Sequence, residues 1–140
     1  MIKKIYIAGP LFNKHEQMYL EDIAKELEGK GYDCFLPHRD QTGIDESELK
    51  GTDMSQETKD KIFQNDLDAL DASDLTVALL TGQDIDSGTS AEIGHTYAKQ
   101  KPVIAINANE RRYRNLFVEG MLTVTVNNID EIIPEIEKLD

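Results

Sequence analysis

Between Asp74 and Leu80 the chain reads Asp-Leu-Thr-Val-Ala-Leu-Leu, uncharged after its first residue. An apolar run this short suits a strand buried on both faces, and such strands belong to parallel sheets covered by helices on either side. The flanking segments carry the matching helical pattern. Residues 57–72 place Ile62, Phe63, Leu67 and Leu70 at helical spacing, and residues 88–100 read as a further helix. The same alternation runs through the rest of the chain. Residues 3–8 form a first strand that meets Gly9-Pro10. Residues 15–30 carry Met18, Leu20, Ile23, Ala24 and Leu27 on a helix stopped by Gly29 or Gly31. Residues 32–36 form a second strand closed by Pro37, residues 102–106 a buried strand, and residues 122–126 a fifth. Residues 129–139 close the chain as a helix, against which Pro134 is a mild objection. Residues 39–58 are polar, with little periodicity, and read as a long irregular loop of the kind that is often functional.

This pattern predicts an α/β fold: one domain over residues 1–140, with a five-stranded parallel sheet between two helical layers, Rossmann-like or flavodoxin-like. Ligands of such sheets bind beyond the carboxyl ends of the strands. Residues 6–12, residues 81–92 and the segment after Ile106 are expected to meet there.

Charge narrows the partner. The net charge is −12, spread along the chain without an acidic tail. Such a surface repels nucleic-acid backbones and anionic membranes, so a small molecule in a local pocket is expected, with no nucleic-acid polymer and no membrane as partner. No apolar run approaches the roughly 20 residues of a spanning helix, and residues 1–9 read as a strand rather than a signal peptide. Cys34 is the only cysteine, so no intrachain disulfide can form; a cytoplasmic location is expected, with Cys34 in the core.

The richest stretch for chemistry is Asp84-Ile85-Asp86-Ser87-Gly88-Thr89-Ser90-Ala91-Glu92-Ile93-Gly94, between the central strand and a helix. Asp86, Ser87 or Thr89 can cap that helix. Glu92 falls near its start, where the helix dipole favours an ionised carboxylate able to act as a nucleophile or to offset a developing cation. The structural alternative is a capping-box glutamate. Gly88 and Gly94 leave room for a ligand or for close packing. The stretch lacks the P-loop lysine and the G-x-G-x-x-G spacing, and Asp84 and Asp86 repel phosphate. Asp66 and Asp68 point to different faces of the preceding helix. His15, His38 and His95 show no metal-ligand spacing, and Ser87 and Ser90 lack the nucleophile-elbow pattern.

These pieces resemble the nucleoside 2-deoxyribosyltransferase family, which includes 2′-deoxynucleoside 5′-phosphate N-hydrolases. The resemblance rests on Ile5-Tyr6-Ile7-Ala8-Gly9-Pro10, Asn65-Asp66-Leu67 followed by Asp74, the stretch from Asp86 to Gly94, Ala98, Lys101-Pro102-Val103 and Arg114-Asn115-Leu116. It implies an enzyme of nucleoside salvage. Glu92 is then the nucleophile, Tyr6 its hydrogen-bonding holder, and Asp66 the candidate general acid. Asp66 and Asp86 line the sugar and base site, with Gly9, Ser87 and Gly88 around it. Asn115 is supplied by a neighbouring subunit in a homo-oligomer with shared sites. The implied partners are a small-molecule deoxynucleoside and a nucleobase, and the chemistry needs no metal or organic cofactor. Transfer of the deoxyribosyl group to a second base, or to water, is the main expectation. Monophosphate hydrolysis is the alternative: a serine resembles the Asp86 position in that branch, and Ser87, Thr89, Lys14 or Arg39 could hold a phosphate. A nucleoside-binding module without catalysis is the third reading.

Overall fold

The computed structural model describes residues 1–50, 53–107 and 114–140. Its elements follow in the order β1 (Lys4–Ala8), α1 (Lys14–Gly29), β2 (Asp33–Phe35), α2 (Glu46–Lys50), α3 (Gln56–Ala72), β3 (Leu75–Leu80), α4 (Ser87–Ala98), β4 (Val103–Asn107), α5 (Leu116–Glu119), β5 (Val124–Val126) and α6 (Ile132–Leu139), with a 3-10 turn at Ile129–Glu131 before α6. Among the described residues the strands form one sheet in the order β2-β1-β3-β4-β5, every neighbouring pair parallel. This is the flavodoxin-like order, and its topological switch point lies between β1 and β3.

Alternation along the strands sorts side chains into two layers. Ile5, Ile7, Leu75, Val77, Leu79, Ile104 and Ile106 pack against Leu20, Ile23, Ala24 and Leu27 of α1 and Ile132 and Ile136 of α6. Tyr6, Ala8, Ala78, Leu80, Val103 and Ala105 face the other way, against Leu70 of α3 and Ile93 of α4. β3 is buried at every position. Cys34 is buried, which pushes its thiol up to about 12, so it is an inert core residue.

Local chemistry explains the boundaries. α1 ends in a Schellman arrangement, with Tyr32 N donating to Leu27 O at 3.2 Å and Gly31 N to Glu28 O at 3.0 Å. Gly31 takes φ +100°, a conformation that favours glycine. Pro134 sits in the first turn of α6, where a missing N–H breaks no intrahelical bond, so it does not interrupt the helix. The long polar segment is less irregular than its sequence suggests. It holds α2, and Glu48 of α2 accepts from Ser55 N at 3.0 Å and from Thr58 Oγ1, docking α2 on the start of α3. Asp74 accepts from Lys3 N at 2.9 Å and Lys4 N at 3.0 Å, which ties the beginnings of β1 and β3 together at the end of the sheet away from the switch point.

Candidate active site

Tyr6 lies on β1 and points into the α3/α4 layer, fully buried, with its ring stacked on Phe35 at 5.6 Å between centroids. Its hydroxyl donates to Glu92 Oε2 on α4. The backbone beneath Glu92 is fastened as well. Thr96 Oγ1 donates to Glu92 O at 2.8 Å and lies 2.7 Å from Thr76 Oγ1 of β3. Since Thr96 has one hydroxyl proton, Thr76 is the donor in that second contact. The nucleophile candidate is therefore held at side chain and main chain alike.

α4 starts where Asp86 caps it, accepting from Thr89 N at 3.3 Å and from Thr89 Oγ1. Three residues in from that cap stands Thr89, not Glu92, so Glu92 is not a capping-box residue. Nor does the helix dipole decide its charge. Glu92 lies beyond the first turn, where the dipole fades. Burial dominates and pushes its carboxyl up to about 7; the Tyr6 hydrogen bond opposes this, and the charges of Asp66 and Asp86 add to it. The Tyr6 phenol is raised too, by burial first and then by the charges of Glu92 and Asp66, so it stays a donor.

Two hollows adjoin at Asp66, Gly88 and Glu92. One, of about 330 Å³, is lined also by Gly9, Leu11, Phe12, Pro37, Asp86, Ser87 and Thr89. The other, of about 350 Å³, is walled by Phe63, Leu67, Leu70, Ala91 and His95. Each is near the lower end of the range for small-ligand sites, about 300–1,000 Å³. A larger hollow of about 850 Å³ beside α1, on the other face of the sheet, gathers surface lysines and carboxylates and includes neither Tyr6 nor Glu92.

Asp66 of α3 is half-buried in the cleft, while Asp68 is exposed and accepts from Gln64 Nε2 at 2.7 Å. Burial raises the Asp66 carboxyl above the usual range, against a hydrogen bond from Gln41 that lowers it. Gly9 lines the cleft, but its size answers first to packing: a Cβ there would stand 2.7 Å from Leu20 Cδ2 and 3.1 Å from Leu79 Cβ. Gly88 is different, because a Cβ there would meet only Asp86 Oδ2, at an ordinary 3.5 Å. Asn115 stands apart from both hollows. It is exposed, and its Oδ1 caps α5 by accepting from Phe117 N at 3.0 Å and Val118 N at 3.1 Å. Part of the segment after Ile106, residues 108–113, lies outside the described residues, as do residues 51–52 of the long polar segment.

Lys14 and Arg39, the candidate phosphate cations, line neither hollow; the Arg39 guanidinium is bound to Glu28 and Asp40. Sequence reasoning did not single out Gln41 or Phe12, and it read Phe63 only as one of the apolar residues spaced along a helix. Gln41 sits in a segment with no periodicity, and its contact with Asp66 spans 25 positions. Phe12 does fall in the stretch after β1 that the parallel-sheet rule brings to the cleft. The group with the displaced titration and the bound phenol, at the sheet's switch point, defines a flavodoxin-like α/β protein with a carboxylate-centred cleft.

The chain belongs to the nucleoside 2-deoxyribosyltransferase family, whose model matches residues 5–133. It is similar to a nucleoside deoxyribosyltransferase of Limosilactobacillus fermentum, 31% identical over 108 residues. That match covers 74% of this chain and 64% of the relative, so the chain spans less than two thirds of the relative's length. Two solved structures share the fold. A conserved protein of Enterococcus faecalis V583 superposes with a TM-score of 0.80 at 28% identity, covering 100% of both chains. The 2-deoxyribosyltransferase of Bacillus psychrosaccharolyticus superposes with a TM-score of 0.79 at 27% identity, covering 92% of this chain and 89% of the other.

Proposed function

We propose that this protein cleaves the N-glycosidic bond of 2′-deoxynucleosides and passes the deoxyribosyl group to another nucleobase, or to water, through an ester on Glu92. The observation that carries this reading is the half-buried Glu92 carboxylate bound by the Tyr6 hydroxyl inside a cleft shared with Asp66. As the C–N bond breaks, positive charge builds on the anomeric carbon. Glu92 offsets it from the face opposite the base and collapses onto it, as in retaining glycosidases. Asp66, which holds its proton more readily than an exposed aspartate, protonates the departing base. The second base or water then attacks from the face the first one left, so configuration is retained. Asp86, Gly9, Ser87 and Gly88 surround the sugar and base, and this route uses no metal or organic cofactor.

Incubation with deoxyadenosine, with and without cytosine, tests the reading. Formation of deoxycytidine marks a transferase, and free adenine alone marks a hydrolase. No reaction with any deoxynucleoside or monophosphate overturns the proposal in favour of a binding module.

Asp86 also speaks to the 5′ end of the substrate. A helix N-terminus can bind phosphate, but here Asp86 fills that place with its own carboxylate, and the described cleft residues include no lysine or arginine. Deoxyguanosine should therefore outperform its 5′-monophosphate by about tenfold or more in kcat/KM, the equivalent of about 1.4 kcal/mol of Coulomb repulsion. Asp86→Ser should narrow that gap without unseating α4, because serine caps about as well as aspartate. Faster turnover of the monophosphate by the unaltered protein would hand the site to the hydrolase reading.

We further place Asn115 at a neighbouring subunit's cleft, since so small a domain gains walls from a second copy. Light scattering at assay concentration should give at least a dimer. A fully active monomer would defeat this placement.

A further inference from the structure

Gln41 is bound on three sides. Its Nε2 donates to Pro37 O at 2.8 Å and to Asp66 Oδ1 at 2.8 Å, and its Oε1 accepts from Asn65 Nδ2 at 3.1 Å. Asn65 Nδ2 also donates to Thr42 O at 2.9 Å. The amide cannot turn over. Pro37 O is a carbonyl that only accepts, so the nitrogen of Gln41 must face it; a flipped amide would set oxygen against oxygen there and nitrogen against nitrogen at Asn65. Both protons of Gln41 Nε2 are thus committed, and one of them always points at Asp66 Oδ1.

We infer that Gln41 is a positioning residue that fixes which oxygen of Asp66 carries the transferable proton. With Oδ1 accepting from the amide, the acidic proton resides on Oδ2, the oxygen left for the departing base. Glu92 gives an electron pair to the anomeric carbon and the C–N pair leaves with the base. The Oδ2 proton moves to a ring nitrogen of that base, leaving Asp66 ionised and bound by Gln41. The same amide then stabilises the aspartate that has just lost its proton, which agrees with its lowering effect on the Asp66 carboxyl. This inference rests on the acid role proposed for Asp66. It explains why the polar segment after β2 is tied to α3 beside the catalytic carboxyl.

The test compares deoxyguanosine with N7-methyl-2′-deoxyguanosine, whose cationic base departs without a proton. Gln41→Met should lose about tenfold to a hundredfold of kcat on deoxyguanosine with KM changed by less than about threefold, and far less on the methylated substrate. Asp66→Asn should show the same substrate dependence. Equal losses of Gln41→Met on both substrates, or none on deoxyguanosine, would overturn the inference. Equal losses of Asp66→Asn on both would instead remove the acid role itself. Carbon-13 titration of the Asp66 carboxyl supplies a readout independent of turnover: its midpoint should rise in Gln41→Met and rise further in Gln41→Glu. An unchanged midpoint in both variants overturns the inference even if neither substrate is turned over.

Discussion

Glu92→Gln is expected to keep the fold and lose most turnover, by a factor of at least about 100, which is about 2.7 kcal/mol of transition-state stabilisation. Glutamine matches glutamate in size and its amide oxygen can still accept from the Tyr6 hydroxyl. What it lacks is the charge that offsets the developing cation and the nucleophilicity to close on the anomeric carbon. Tyr6→Phe should cost less, because it removes the holder and leaves the carboxylate. A 2-fluorinated deoxyribosyl analogue, slow to turn over, should leave an adduct that peptide mass spectrometry places on Glu92. An adduct on any other residue, or an active Glu92→Gln protein, removes Glu92 from the role of nucleophile.

The second large effect is on stability, and its sign is opposite. The Glu92 carboxyl is pushed from the ordinary 4.5 up to about 7 in the folded protein, chiefly by burial. The folded state therefore holds this proton more tightly than the unfolded chain does. That contribution is fully present below pH 4.5 and is lost as pH rises through about 7. Above pH 7 the ionised carboxylate costs the fold on the order of 1–3 kcal/mol. Glu92→Gln, uncharged at every pH, should match the unaltered protein near pH 4 and exceed it in urea resistance by that amount near pH 8.5. If the variant is the less stable of the two at pH 8.5, the carboxylate is not strained by its surroundings. Site residues held at such a cost are a common source of the trade between stability and activity.

The uncharged run at β3 and the helical spacing around it made the doubly wound sheet legible from sequence, because long-range packing of such segments follows from periodicity alone. That the stretch from Asp86 to Glu92 lines a cleft was legible for a related reason: it leaves the central strand where the sheet reverses. The protonation of Glu92 was not legible. Sequence position suggests the dipole, whereas burial in the cleft decides the outcome, with the distant Tyr6 hydroxyl opposing it and the charges of Asp66 and Asp86 adding to it. Gln41, and the bond that ties Asn65 to it, were not legible for a parallel reason, since a hydrogen-bonded amide network leaves no repeat in the residue pattern. The short helices α2 and α5 were missed because each is too brief to display helical spacing.

Asp86 serves two masters, since it begins the helix that carries Glu92 and also borders the cleft. A change of substrate preference made at this position is simultaneously a change in how α4 starts. Short side chains with an oxygen acceptor cap well and glycine nearly as well, while replacement by alanine costs about 1 kcal/mol. The accessible variation is thereby weighted toward aspartate, asparagine, serine, threonine and glycine, an alphabet of small residues in which charge varies but no large side chain appears. Evolution at this edge of the cleft can add or remove a negative charge almost freely, while remodelling the cleft's shape with larger side chains falls to positions such as Phe12, which lies outside α4.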